Sequence, residues 1–175
     1  QRGVSLPKLL LRRDGGFGFR RLRPERRARE SQLSCHELVE RQVAVALFNR
    51  VWDLLDAGDA RSADATDEMI DAAHASRFLW RQIGGVEQAI VGEWQIRRTY
   101  AAAELGDEAV RHAQTSLVLL ESDPDVPDWL PASVHVGRAR AYLAAGEPEA
   151  AALAAASAHA ALLDLPDQPL GLEQF

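Results

Sequence analysis

The sequence predicts an all-α fold made of stacked antiparallel helix pairs, about three pairs in number. Six segments carry apolar residues three and four positions apart, which is the spacing of an amphipathic helix. Glycine or proline residues separate these segments, mostly through short turns. No segment alternates apolar and polar residues with a period of two, so we expect no β-sheet.

The first helix pair is expected between His36 and the Gly84-Gly85 dipeptide. Its first helix should end near Ala57, with Gly58 as the residue that follows the C-terminus. Thr66 is expected to cap the second helix, because threonine is a favoured N-cap residue. The apolar face of the first helix consists of Ala44, Leu47, Phe48, Val51, Trp52 and Leu55, and that of the second helix of Met69, Ala73, Ser76, Trp80 and Ile83.

The second pair starts with a helix predicted over Val86–Leu105. Its large residues are spread over more than one face, so this helix should pack on two sides. We expect Gly106 to end it and Asp107 to open a fourth helix over 108–121. The large residues of helix three are Ile90, Trp94, Ile96 and Tyr100, and the inner face of helix four consists of Ala109, Ala113 and Leu117.

The third pair follows the Asp- and Pro-rich break at 123–127. Asp128 is the expected N-cap of helix five, and Pro131 falls in its first turn, where proline is tolerated. Gly146 should stop helix five, and helix six is predicted over Pro148–Leu163. The tryptophans of the chain are expected in the core, but Trp80 is also a candidate for an exposed position because Arg77 and Arg81 flank it.

The two ends of the chain are predicted to lie outside the helical domain, which covers residues 33–165. Residues 1–32 are interpreted as a basic, disordered tail, and residues 166–175 as an unstructured end. Residues 1–30 contain ten Lys and Arg against three Asp and Glu, whereas the remainder contains ten against 23. The alternative for the tail is a basic arm that contacts nucleic acid or an acidic partner.

Composition narrows the class of protein. No stretch approaches the roughly 18 apolar residues of a membrane span, so we expect a cytoplasmic protein. The single cysteine, Cys35, excludes an internal disulfide framework and is interpreted as an inert thiol. Because the chain starts at Gln1 and its first methionine is Met69, it is expected to be a fragment or a processed product. The preference for arginine over lysine is typical of a GC-rich bacterial genome.

The segment Ala141–Ala151 (Ala-Tyr-Leu-Ala-Ala-Gly-Glu-Pro-Glu-Ala-Ala) resembles the turn region of a tetratricopeptide repeat. The second pair matches more loosely, since Gly106 and Gly146 are 40 residues apart, against about 34 in the standard repeat. The segment 67–100 is also similar to a bacterial family of tetratricopeptide-like proteins to which no activity is assigned. The matching small positions are Ala109, Ala139, Ala151 and Ala158.

This resemblance implies a right-handed α-solenoid whose first helices line a groove that grips peptides. Glu93, Arg97 and Arg140 are then the groove candidates. Exposed aromatic and arginine side chains are enriched in interface hot spots, and such residues are densest on helices two and three. The complete set of predicted partner-binding residues is His74, Arg77, Trp80, Arg81, Glu93, Arg97, Arg98 and Arg140. The alternative is a solvated face with local ion pairs.

The sequence therefore predicts a non-enzymatic module that binds a protein or peptide, or that self-associates, without a cofactor. Its acidic body argues against binding of nucleic acid there. The runner-up hypothesis is a metal protein or enzyme of the helical-bundle type that uses Asp71, His74 and Glu93, because Asp71 and His74 are three residues apart on one helix. A further alternative is a regulatory domain from a larger signalling or DNA-binding protein.

Overall fold

A computed structural model describes residues 34–123 and 125–164, and within them the all-α prediction is confirmed. These residues form six α-helices and one short 3₁₀ helix, with no strand, and neighbouring helices pack in pairs. The elements are α1 (Cys35–Asp56), the 3₁₀ helix (Gly58–Ala60), α2 (Ala63–Ile83), α3 (Val86–Ala102), α4 (Gly106–Ser122), α5 (Trp129–Ala144) and α6 (Pro148–Leu163). The predicted tail at 1–32 and the C-terminal end at 166–175 lie outside the described residues.

The start of α2 corrects the predicted cap. The helix begins three residues before Thr66, because Ser62 is the N-cap and its Oγ accepts a hydrogen bond from the backbone N–H of Ala65 at 3.2 Å. Thr66 lies within the first turn and donates its hydroxyl to the carbonyl of Ser62 at 3.1 Å. Serine and threonine can both cap a helix, and Ser62, which comes earlier in the chain than Thr66, is the N-cap here.

The turn between α3 and α4 also differs from the prediction. Helix α3 ends at Ala102 instead of Leu105, and Glu104 takes the left-handed conformation (φ 61°) that was expected of a glycine. Gly106 is the first residue of α4, ahead of the predicted start at Asp107. A Cβ atom on Gly106 would lie 2.5 Å from Cα of Ala145, so this glycine permits close contact with the end of α5.

Several predicted helix ends are confirmed. Gly58 and Gly146 have positive φ angles of 53° and 76°, and they follow α1 and α5 as expected. Gly84-Gly85 separates α2 from α3, and α6 has the predicted bounds. Asp128 precedes α5, but its side chain makes no capping hydrogen bond.

Helix α3 lies at the centre of the packing and contacts α2, α4 and α5, which confirms its predicted two-sided burial. The closest pairs are α3 with α4 and α5 with α6. Three apolar clusters form the core. They consist of Val51, Leu54, Met69, Ala72, Ala73 and Ile96; of Ile90, Leu130 and Val134; and of Ala109, Ala113 and Ala141.

Helix α1 is held by buried polar contacts as well as by the first apolar cluster. Ser76 of α2 donates its hydroxyl to the carbonyl of Ala44 at 2.8 Å. Gln95 of α3 donates its side-chain amide to the carbonyl of Phe48 at 2.9 Å. Both donors are about 1% exposed, so each bond satisfies a polar group that would otherwise be costly to bury.

The tryptophans depart from the prediction that they are core residues. Trp52, Trp80 and Trp94 are partly exposed, and Trp129 is 37% exposed. None of the described helices combines the length and the apolar character that crossing a bilayer requires.

Candidate functional site

Polar side chains of α3 take part in two separate clusters. The first, called the histidine–glutamate cluster, consists of His74, Arg77, Glu93, Tyr100 and His112. The second, called the tryptophan–arginine face, joins Trp52 of α1, three residues of α3 and Arg140 of α5.

Glu93 is the buried anion of the histidine–glutamate cluster, with 1% of its surface exposed. One carboxylate oxygen lies 2.6 Å from Nδ1 of His112 on α4, and the other forms an ion pair with Arg77 on α2. Gly92 allows Arg77 to approach, since a Cβ there would lie 2.8 Å from Cγ of Arg77. The carboxylate therefore joins three helices through two charge-assisted contacts.

The electrostatics of Glu93 combine opposing effects. Burial raises the pKa of its carboxyl group, whereas the hydrogen bond from His112 and the charge of Arg77 lower it. The two partners outweigh burial, and the pKa lies below its ordinary value. Glu93 is therefore an ionised group at neutral pH, with both oxygens engaged.

Three rings complete this cluster. Nε2 of His74 lies 3.0 Å from the hydroxyl of Tyr100, within hydrogen-bond distance. The rings of Tyr100 and His112 stack with centroids 5.4 Å apart, and His74 meets His112 edge-on at 5.6 Å. Nε2 of His112 also lies 3.0 Å from a guanidinium nitrogen of Arg111. An Nδ1–H tautomer of His112 satisfies both of its polar contacts, whereas Nε of Arg77 has no acceptor among the described residues.

The residues of the metal hypothesis are not assembled into one site. His74 and Glu93 belong to the histidine–glutamate cluster, but Asp71 is exposed and lines an open cleft of about 550 Å³ beside α1. Within 34–123 and 125–164, no group of three or more His, Cys, Asp or Glu side chains is placed to hold a metal ion. The other carboxylates that line this cleft are Asp64, Asp67 and Glu68.

The tryptophan–arginine face consists of Trp52 on α1, of Trp94, Arg97 and Arg98 on α3, and of Arg140 on α5. The two indole rings have centroids 5.8 Å apart. The guanidinium carbon of Arg98 lies 4.4 Å from the ring centroid of Trp52, and that of Arg97 lies 5.6 Å from that of Trp94. Both distances are within the range of cation–π interactions.

Helix α5 approaches this face at Gly137. A Cβ atom there would lie 3.2 Å from Cδ1 of Trp94 and 3.3 Å from Nε of Arg97. The absent side chain therefore lets α5 pack against α3 beside the arginines. The face is thus built from the first helix of each of the three pairs.

Arg97 is an unusual group for a protein interior, because it is 2% exposed. Burial lowers the pKa of its guanidinium to about 9, with further contributions from the charges of Arg98 and Arg140. Burial and the charge of Arg140 also lower the pKa of Arg98, against a smaller opposing effect of Asp56. A guanidinium with a pKa of about 9 is protonated at neutral pH, so Arg97 is a buried positive charge with two further arginines nearby.

The predicted partner-binding residues are divided between these two clusters. Arg97, Arg98 and Arg140 come together on the tryptophan–arginine face, as a groove formed by first helices would require. Glu93 was predicted beside them, but it is buried against α2 and α4. His74 and Arg77 accompany Glu93. Trp80 and Arg81 lie on α2 and belong to neither cluster, Trp80 being partly exposed and Arg81 exposed.

Two central residues were missed from the sequence. His112 lies three positions after Ala109, on the stripe that was predicted to face inward, so the helical period could have identified it as buried. Trp52 was assigned to the core because its position on the apolar face does not reveal its partial exposure. Its contact with Arg98, 46 residues later in the chain, leaves no signal in local spacing.

No protein-family model, curated protein or solved structure matches the chain. The described residues form an all-helical domain of packed neighbouring helix pairs, which is compatible with a helical repeat.

The histidine–glutamate cluster predicts that acid destabilises the domain. Burial and the charge of His112 lower the pKa of His74, so the unfolded chain takes up a proton at higher pH than the folded chain does. Stability should therefore fall as the pH decreases from about 6.5, the ordinary pKa of histidine. The depressed pKa of Glu93 adds a further loss at more acidic pH, as that carboxylate is protonated.

This pH dependence can be measured as the urea midpoint between pH 7.5 and pH 5. His74→Asn should flatten the curve. His135 on α5 also has a pKa lowered by burial, so the double variant with His135→Asn should be flatter than either single variant. A His74→Asn protein with the slope of the wild type would contradict the assignment.

Proposed function

We propose that the chain is a non-enzymatic interaction module of the tetratricopeptide type, and that its tryptophan–arginine face binds a segment of a partner protein. The observation that carries this proposal is the convergence of two partly exposed tryptophans and three arginines on the first helices of three pairs. Tryptophan and arginine are the residues most enriched where binding energy concentrates.

The chemistry of this face suits an extended segment. The ring of Trp52 is held under Arg98 and packs against Trp94, so little side-chain entropy remains to be lost on binding. Arg140 is exposed and offers a charged contact beside these rings. The face thus combines restrained tryptophan rings at its centre with charged groups at its margin, as binding interfaces usually do.

The histidine–glutamate cluster is less suited to binding a partner. Its charged groups are already paired with one another, and Glu93 and His112 are buried. A partner would have to break these contacts and leave a buried charge without its counterion, which is costly. We therefore assign this cluster a structural role in joining α2, α3 and α4.

A peptide library displayed on phage and selected against the full chain tests the proposed function. Selected peptides should lose at least about tenfold in affinity when Trp94 is replaced by leucine, which is the effect of removing a hot-spot residue. Trp129→Leu is the matched control, because Trp129 lies in the first turn of α5 and outside the face. Circular dichroism verifies that both variants fold.

Two results would contradict the proposal. One is a set of selected peptides that bind the Trp94→Leu and Trp129→Leu proteins equally well. The other is a selection that yields no peptide above background. If the wild type forms a dimer in solution that Trp94→Leu dissociates, then the segment bound by this face belongs to a second copy of the chain.

A further inference from the structure

The described residues provide no carboxylate partner for the three arginines of the tryptophan–arginine face. Among the described residues, no ion pair includes Arg97, Arg98 or Arg140. The nearest buried carboxylate in the sequence, Glu93, is engaged by Arg77 and His112. Asp56 has only a minor effect on the pKa of Arg98 and is not among the groups that shift the pKa of Arg97. The positive charge gathered here is therefore not neutralised within the described part of the chain.

Two residues of this face also carry unsatisfied hydrogen-bond donors. Within the described part of the chain, Nε of Arg97 and Nε1 of Trp52 are buried without a hydrogen bond. The same holds elsewhere for Nε of Arg77, Nε of Arg138 and one oxygen of Glu93. A buried polar group without a partner is uncommon and costly, and a charged one costs more. Arg97 lies over Trp94, and Trp94 packs against Trp52, so both donors belong to the same group of rings and guanidinium groups. The described residues supply neither a carboxylate for these arginines nor an acceptor for these two donors.

The arginines are held in place although residues 34–123 and 125–164 supply no counterion in an ion pair with them. The guanidinium carbons of Arg97 and Arg98 lie 5.6 and 4.4 Å from the ring centroids of Trp94 and Trp52, so cation–π contacts restrain both side chains. An oxyanion accepts several hydrogen bonds, and arginine recognises carboxylate and phosphate in a bidentate manner. Gly137 packs closely against Trp94 and Arg97 and adds no side chain to this region.

We propose that Arg97, Arg98 and Arg140 form an oxyanion site, which takes a phosphate or carboxylate group carried by the bound segment. This inference rests on the proposed function, because it assigns a ligand chemistry to the same face. In this site Arg97 supplies a buried positive charge, and Arg98 supplies a guanidinium group that its contact with Trp52 restrains. Arg140 supplies the third, exposed guanidinium group from α5. A bound anion stabilises the fold because it compensates the charge that Arg97 buries.

Thermal unfolding of the full chain with inorganic phosphate or acetate tests the site, with sodium chloride at matched ionic strength as the reference. The melting temperature should rise with phosphate or acetate and reach a plateau, as expected for binding at one site. A larger rise with phosphate identifies a phosphorylated segment as the ligand. An equal or larger rise with acetate identifies an acidic side chain or a terminal carboxylate.

Three variants make the test specific. Arg97→Met should melt at a higher temperature than the wild type without anion, because a buried unpaired charge is removed, and it should not respond to either anion. Arg140→Gln lies at an exposed position and should lose at least about tenfold in anion affinity without a change in fold. Arg50→Gln, at an exposed arginine outside the face, should respond as the wild type does.

The site is overturned if neither anion raises the melting temperature above the chloride reference. It is also overturned if Arg97→Met and Arg140→Gln respond like the wild type. Selected peptides that depend on Trp94 but lack an acidic group would leave the proposed function standing without this site. Conversely, saturable anion binding that both arginine variants lose supports the site even if the peptide selection fails.

Discussion

Replacing Glu93 with glutamine is expected to lower the free energy of unfolding by about 3 kcal/mol, the lower end of the range for breaking a buried ion pair. The substitution keeps the shape of the side chain but removes the negative charge between Arg77 and His112. Because the side chain of Arg77 retains 29% exposure, water compensates part of its lost partner and keeps the cost at that lower end. Urea denaturation at pH 7 measures the difference.

Glu68→Gln is the matched control for this substitution. Glu68 pairs with Arg50 through two hydrogen bonds of 2.7 and 3.0 Å, but both side chains are about half exposed. Exposed pairs contribute little, so the midpoint of this variant should stay close to that of the wild type. Equal losses in the two variants would mean that the burial of Glu93 does not determine its contribution.

Gly106→Ala is expected to destabilise the domain by about 3 kcal/mol, the upper part of the range for overpacking. The added methyl group would lie 2.5 Å from Cα of Ala145 and 2.6 Å from the carbonyl oxygen of Ala144. These are backbone atoms of another helix end, so the contact cannot be relieved by rotating a side chain. The better helix propensity of alanine returns at most about 1 kcal/mol.

Gly85→Ala serves as the control for the glycine substitution. Its nearest neighbour would be the side-chain oxygen of Gln88 at 3.6 Å, an ordinary contact. We expect a loss below about 1 kcal/mol, from the weaker N-cap alone. The urea midpoints of the two variants measure the difference in stability. A Gly106→Ala protein as stable as Gly85→Ala would contradict the expected clash, because it would mean that α4 can move away from the end of α5 without cost.

The architecture of the domain follows from local signals in the sequence. The amphipathic period placed all six helices, and the glycines at 58, 84, 85 and 146 marked helix ends that the structure confirms. The errors arise where two local solutions compete. Ser62 and Thr66 can both cap a helix, and Glu104 adopts a conformation that glycine was expected to supply.

The candidate site is harder to predict from the sequence than the helices are. The arginines were selected by residue type, and three of them do converge. However, the sequence placed Glu93 beside them, and the structure pairs it with Arg77 and His112. Partners of this kind are chosen by the packing of whole helices, which residue spacing within one helix does not determine. The unpaired state of Arg97 is likewise a property of the assembled fold.

The two buried hydrogen bonds to α1 have a consequence beyond stability. The carbonyls of Ala44 and Phe48 are one turn apart, so they lie on the same side of the helix and are held by Ser76 and Gln95. Two such anchors prevent α1 from turning about its own axis. Trp52 follows Phe48 by one further turn of α1. The hydrogen bonds from Ser76 and Gln95 therefore also fix the direction in which the side chain of Trp52 leaves the helix. The angle at which this indole meets Arg98 thus depends on hydrogen bonds made one and two turns earlier on α1.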